Sequence, residues 1–134
     1  MNSGYHFRYL DIDLEHGNAS IGEPNGALLR KFIGGKGLGL ALLCELDRSR
    51  DPLDPDNPLI FLTGPLTGTS ITTSNRSCLV TRSPLTGGFL DSHAGGHFGT
   101  AIRGAGYDYI IIRGKAEQPV YLRINPEGVE LEDA

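Results

Sequence analysis

The sequence predicts an α+β fold in which sheet dominates, with stacked antiparallel and mixed strands and a few short helices. Three observations lead there. Short apolar runs with period-2 alternation recur along the chain, turn residues separate them at short intervals, and apolar residues at helical spacing are confined to brief stretches. At 134 residues the expectation is a single domain covering 1–134, long enough to bury a core without disulfide or metal staples.

Residues 5–14 (YHFRYLDIDL) alternate partly with period 2 and run into His16-Gly17-Asn18, which predicts a strand, a turn and a second strand near 19–21. Beyond Pro24, residues 26–33 and 38–46 carry apolar side chains at helical spacing. Gly34-Gly35-Lys36-Gly37 interrupts them, so two helical pieces are expected to meet at a glycine joint. Residues 51–58 (DPLDPDNP) hold three prolines among acidic and amide side chains and predict an extended surface loop. Strands are expected at 59–63, 77–81, 109–113 and 120–124, and Pro126-Glu127-Gly128 turns the last of these into a short strand at 129–131. A short helix is expected over 96–103.

Composition narrows the function. The chain is 39% hydrophobic and 21% charged, and no apolar run approaches the roughly 20 residues of a membrane span. Its first residues, MNSGYHFRYLDIDLEHG, carry charges every few positions and contain no apolar signal region, so a soluble, cytoplasmic protein is expected. Cys44 and Cys78 lie in apolar stretches (ALLCEL and RSCLV), which suits reduced core thiols. Glycine is abundant, 19 of 134 residues, against a usual share near 7%. Charge is uneven: 1–75 carry six Lys/Arg and nine Asp/Glu, while 76–115 carry five basic residues, two acidic ones and eight glycines within a chain of net charge −4. A positive, glycine-rich segment in an acidic protein points to a compact anion such as a phosphate and away from nucleic acid, which favours a wide basic face with aromatic residues.

Two similar units bracket that segment: Gly64-Pro65-Leu66-Thr67-Gly68-Thr69 and Ser83-Pro84-Leu85-Thr86-Gly87-Gly88. In each, proline fixes one dihedral, glycine supplies positive φ and the threonine hydroxyl can bond nearby backbone, so both read as rigid turns. Between them, Thr72-Thr73-Ser74-Asn75-Arg76 ends in an arginine placed just before an apolar strand, where its planar fork can meet a phosphate. Asp91-Ser92-His93-Ala94-Gly95-Gly96-His97 puts paired glycines before the expected helix, an arrangement that lets backbone N–H groups converge on an anion; without a ligand it is a glycine-rich approach to a helix. His93 and His97 are four apart, but His93 precedes the helix and no third ligand is near, so a metal site on their side chains is not expected. GGKGLG at 34–39 lacks the Lys-Ser/Thr of a phosphate-binding P-loop and the spacing of a dinucleotide fingerprint.

FIGGKGLGLALL, DPLDPDNPLIFLTGPLTGTS, VTRSPLTGG, DSHAGGHFG and GAGYDYIIIRGKAEQPVYL, in this order and spacing, resemble the N-terminal domain of the tungsten-containing aldehyde ferredoxin oxidoreductases over essentially the whole chain. The resemblance implies a base of stacked sheets that carries a tungsten (or molybdenum) bis-pyranopterin, in an enzyme that oxidises aldehydes to carboxylic acids and passes electrons through one [4Fe-4S] cluster to ferredoxin. On matching positions it implies that Arg76 contacts a pterin phosphate and that the turn of Ser92, His93, Ala94, Gly95 and Gly96 faces the cofactor. Position 93 is commonly Asn in the family, and its main-chain oxygen binds the magnesium that bridges the two phosphates. His93 stands there in this chain, a change that leaves a backbone ligand intact.

The family's cluster cysteines and Asp-containing pterin loops belong to later domains, so 1–134 is expected to be part of the N-terminal domain, with no catalytic residue or cluster ligand of its own. Its partners are then the remaining domains or a companion oxidoreductase subunit, with ferredoxin for the complete enzyme. Self-association through an uncovered sheet is also expected. The competing reading, from another functional class, is a non-catalytic interaction domain that keeps the fold and binds a partner chain.

Overall fold

The computed structural model describes residues 4–45 and 51–134, which form eight strands and three helices. Leu10 and Ile12 alternate along β1 (Tyr9–Asp13), and both are fully buried on one face. Gly17, at φ 62, turns the chain into β2 (Asn18–Gly22), an exposed edge strand antiparallel to β1. The strand predicted from residue 5 begins only at Tyr9, because Phe7 has φ 56 and the His6 and Phe7 N–H groups donate to the Asp108 carboxylate at 3.0 and 2.8 Å.

Asn25 caps α1 (Gly26–Phe32), its side-chain oxygen accepting from the Ala27 N–H at 2.9 Å. The joint follows at Ile33 and Gly34, and α2 (Gly35–Glu45) starts inside the glycine cluster; Leu46, the expected end of that helix, lies outside the described residues. Gly39 lets α2 approach the sheet closely, since a Cβ there would sit 2.5 Å from Val80 Cγ2. Cys78 is buried as expected, but Cys44 is exposed, because it lies on the side of α2 turned from the sheet contact made by Gly39 and Leu43.

The 51–58 loop folds into successive turns pinned by Asn57, whose Nδ2 donates to the carbonyls of Pro52 and Arg82. Beyond it come β3 (Leu59–Leu62), β4 (Arg76–Arg82), β5 (Phe89–Gly95), α3 (Phe98–Gly104), β6 (Tyr109–Arg113) and the hairpin β7 (Val120–Asn125) and β8 (Gly128–Asp133). The main sheet runs β2-β1-β6-β3-β4-β5, with β1 and β6 parallel and every other pair antiparallel.

One face of this sheet, with Ile60, Leu62, Val80 and Tyr109, buries Leu29, Leu38 and Leu43 of the two first helices. The other face, with Leu10, Ile12 and Ile110, packs against Ile102 of α3, Tyr107 and the inner side of the hairpin through Leu122, Ile124 and Val129. The second sheet is thus a two-stranded hairpin stacked on the β1–β6 part of the first.

β5 corrects one expectation. Ser92, His93, Ala94 and Gly95 are not a turn that opens a helix but an edge strand in register with β4, and only Gly96, at φ 96, and His97 make the turn before α3. Their N–H groups therefore lie along a ladder instead of converging at a helix start.

Candidate functional site

Arg76 opens β4 and lies directly across the ladder from Gly95 of β5. Cys78 faces His93 and Val80 faces Asp91 in the same register, so Arg76, Cys78, His93 and Asp91 share the sheet face that carries α1 and α2. The structure thus brings together the residues singled out from the sequence, by strand pairing instead of by a loop. Ser92 and Ala94 project from the opposite face of β5.

A cavity of about 540 Å³ opens on this face, between the α1–α2 joint and the loop that joins β3 to β4. Leu62 and Cys78 lie on the strands that line it, and Arg76 and His93 reach it from β4 and β5. Ile33, Leu66 and Ile71 add apolar lining, while Thr72, Thr73 and Ser74 add hydroxyls. Its size suits a small-molecule ligand.

Arg76 is exposed, and its guanidinium makes no ion pair or hydrogen bond among the described residues. Its main chain, in contrast, is tightly held. The buried Thr67 hydroxyl donates to Arg76 O at 3.1 Å and accepts from the Gly64 N–H at 3.2 Å. Gly99 of α3 packs so closely that a Cβ would lie 3.0 Å from the same carbonyl. The first P-L-T-G turn, with Gly68 at φ 82 and its N–H donating to Asn75 Oδ1, is therefore a bracket that fixes where β4 begins. Thr67 and Asn75 were read from the sequence only as parts of a turn and a polar cluster; that they and Gly99 hold Arg76 in place was not foreseen, although the threonine hydroxyl of the turn was an available signal. The second P-L-T-G unit closes the β4–β5 hairpin, with Gly87 at φ 68 donating to Ser83 O at 2.8 Å.

Gly95 has nothing within 4 Å of where a Cβ would stand, so a ligand can approach its backbone. β5 is the sheet edge, which leaves alternate N–H and C=O groups unpaired toward the outside. His93 Nε2 lies 3.0 Å from Asp91 Oδ2, and Lys36 Nζ from α2 lies 3.7 Å from the same oxygen, so Asp91 ties the edge strand to the helix above it. The pairing of Lys36 with Asp91 escaped the sequence reading, because it joins distant segments.

Cys78 Sγ is 3.7 Å from His93 Nε2, the nitrogen already engaged by Asp91. One nitrogen cannot hold its proton toward the carboxylate and take another from the thiol. Burial pushes the Cys78 thiol up to about 11, Asp91 adds to the rise and Lys36 opposes it. The set is therefore a packed polar contact and not a nucleophile with its base. No group of three metal-ligating side chains occurs among the described residues. No helix among them is long and apolar enough to cross a membrane.

Comparison with known proteins shows the family. Residues 9–134 match the family model described as aldehyde ferredoxin oxidoreductase, N-terminal domain. A tungsten-containing aldehyde ferredoxin oxidoreductase of Pyrococcus furiosus is 44% identical over 128 residues, which is 95% of this chain and 21% of the relative. The corresponding protein of Pyrococcus horikoshii is 45% identical over 98% of the chain and 22% of its own length. Among solved structures, the active site complex BamBC of benzoyl coenzyme A reductase with 1,5 dienoyl-CoA superimposes with a TM-score of 0.95 at 35% identity, over all of this chain and 21% of that one. The chain spans about a fifth of the length of these relatives. It belongs, as their N-terminal domain, to the aldehyde ferredoxin oxidoreductase family.

Proposed function

We propose that this domain is the cofactor-binding portion of an oxidoreductase that converts aldehydes to carboxylic acids, and that its anion site holds a phosphate of a tungsten (or molybdenum) bis-pyranopterin. The observation that carries the reading is the pairing of an uncommitted arginine, Arg76, with the open backbone of Gly95 on the rim of a ligand-sized cavity. The residues fit the group: a guanidinium offers a planar fork to phosphate, and an edge strand without a side chain at Gly95 admits close contact. Ser92, His93, Ala94 and Gly96 complete the strand and turn along which the cofactor would lie. His93 would contribute its main-chain carbonyl to magnesium, since its ring is engaged with Asp91.

When bound, the pterin-held metal supplies two-electron redox chemistry. The part assigned to this chain is to bind and orient it. The [4Fe-4S] cluster, the rest of the pterin cage and the docking surface for ferredoxin belong, in this reading, to the remaining domains or to a companion subunit, in a cytoplasmic enzyme.

A charge-assisted contact from Arg76 to phosphate in a partly desolvated site contributes about 1.5–3 kcal/mol, or roughly ten- to hundredfold in affinity. The test is cofactor retention by the complete oxidoreductase carrying Arg76→Lys, Arg76→Ala or Gly95→Val. All three variants are expected to lose cofactor, lysine because it lacks the fork and valine because it fills the approach. Open space around Gly95 means that valine does so without a clash in the fold. Equal retention by all of them would place the phosphate elsewhere.

A further inference from the structure

The main sheet ends at β5, beside the cavity, and at β2 (Asn18–Gly22) on the opposite side. Backbone direction fixes which groups of β2 are free. The Leu14 N–H donates to Arg113 O at 2.8 Å, so alternate residues back along β1, Ile12 and Leu10, also bond to β6, while Tyr9, Asp11 and Asp13 bond to β2. Their register partners Gly22, Ser20 and Asn18 therefore turn inward, and Ala19 and Ile21 point their N–H and C=O groups away from the sheet. β2 pairs with β1 over its whole length without a bulge, and its sequence, NASIG, contains neither charge nor proline. The devices that usually blunt a sheet edge are thus missing from this one.

A hollow lies beside the strand on each face of the sheet. On the hairpin side, one of about 310 Å³ is lined by Leu10, Ala19, Ile21 and Val129, with the exposed Glu127 among its walls. On the other side, one of about 140 Å³ brings together Asp11, Asp13, Asn18, Ser20 and Arg113. A strand added to β2 sends alternate side chains to these two faces, one apolar and one polar. The charge around the edge is negative: Asp13 and Glu15 precede β2 and Glu23 follows it. The cations nearby are engaged. Arg113 donates to both oxygens of Asp11 at 2.7 and 2.6 Å, His16 Nδ1 lies 2.9 Å from Asp13 Oδ2, and Arg8 donates to Pro126 O at 3.1 Å.

We propose that β2 is a docking edge for another protein chain, which adds an extended segment to the sheet with apolar side chains toward Leu10, Ile21 and Val129 and basic ones toward Asp13. Main-chain bonds to Ala19 and Ile21 supply the attachment, and the apolar hollow selects alternate side chains. The acidic surroundings favour a basic segment and repel an acidic one. The site is separate from the phosphate reading, since Arg76 and Gly95 lie on β4 and β5 at the far side of the sheet.

The test follows the fluorescence anisotropy of short, end-blocked peptides that alternate valine with lysine or valine with glutamate, titrated with the full chain and with Ala19→Pro and Ile21→Ser. Ala19→Pro removes an outward N–H and leaves the bonds to β1 in place, a position at which edge strands accept proline, so circular dichroism is expected to be unchanged. The valine–lysine peptide is expected to bind, and the valine–glutamate peptide to bind about tenfold more weakly or less. Ala19→Pro should weaken the lysine peptide about tenfold and Ile21→Ser roughly three- to tenfold. Backbone N-methylation of the lysine peptide at its ladder positions should abolish binding. Equal binding of the two peptides, or equal binding by wild type and Ala19→Pro, overturns the inference. A dimer that forms without peptide and dissociates in Ala19→Pro also overturns it, because the occupant is then a second copy. So does a complete oxidoreductase that contains this domain and excludes the peptide, since its own later domains then cover the edge.

Discussion

Cys44 and Cys78 are the two thiols of the chain, and their surroundings set them apart. Cys44 stands exposed on α2, whereas Cys78 is 3% exposed and its thiol is pushed up to about 11 by burial first and the Asp91 carboxylate second. Only a thiolate reacts quickly with alkylating agents. Iodoacetamide at pH 8 should therefore label Cys44 in the native protein and spare Cys78, and mass spectrometry should find both labelled in denaturant. The same shift fixes the sign of a pH effect. A thiol whose folded-state value is raised contributes stability that is fully present below the unfolded value of 9.0 and is lost as pH rises toward about 11, because the unfolded chain ionises first. Tyr109, also raised, chiefly by burial, acts in the same direction. The urea midpoint should fall between pH 8 and pH 10.5, and it should fall less in Cys78→Ala, whose own baseline is lower for the lost core contact. An equal fall in both proteins would remove Cys78 from the account.

Two glycines mark where elements meet most closely, and each supports a different prediction. A methyl group at Gly39 would meet Val80 and Leu62 at 2.5 and 2.9 Å, both fully buried and unable to yield, so Gly39→Ala should force α2 off the sheet and cost about 1–3 kcal/mol in chemical denaturation. At Gly99 the methyl would meet the Arg76 carbonyl, so Gly99→Ala should displace the start of β4 and weaken phosphate binding more than it weakens the fold. Pyrophosphate titration set against the denaturation midpoint separates the two effects. These contacts also show what the sequence could and could not tell. The hairpins and both P-L-T-G turns were legible because their chemistry is local: proline, a positive-φ glycine and a hydroxyl within a few residues. β5 was not, since FLDSHAG on an exposed edge lacks apolar alternation and its paired glycines imitate the approach to a helix. Nor was the parallel pairing of Tyr9 with Tyr109, or the Lys36–Asp91–His93 contact, which depend on segments far apart in the chain. Arg76 could be named from its place before a strand; the contacts by which Thr67 and Gly99 hold it there became visible only in the folded chain.

At the scale of the molecule the two faces of the main sheet are covered unequally. α1 and α2 shield one face, while on the other the β7–β8 hairpin and α3 serve β1, β6 and part of β3. Beyond them Leu59 and Phe61 share that face of β3, Phe61 meets Phe98 edge to face at 5.5 Å between ring centroids, and Leu59 and Phe98 are 41% and 51% exposed. In the register, Leu79 of β4 stands beside Phe61 and extends the apolar row. A contiguous apolar surface of this kind is a site of association. The purified chain is therefore expected to self-associate as its concentration rises and to bind a hydrophobic dye. Phe98→Ser should lessen both without unfolding the sheet, because half of that ring already faces solvent. The same chain should hold no iron and reduce no dye with aldehyde, since a [4Fe-4S] cluster takes four cysteine thiolates and this sequence has two. Sedimentation as a concentration-independent monomer, with dye binding equal in wild type and Phe98→Ser, would remove this face from consideration as a docking surface. Dye binding that falls in Phe98→Ser, with sedimentation shifted toward the monomer, would identify it as the surface on which the domain meets other protein.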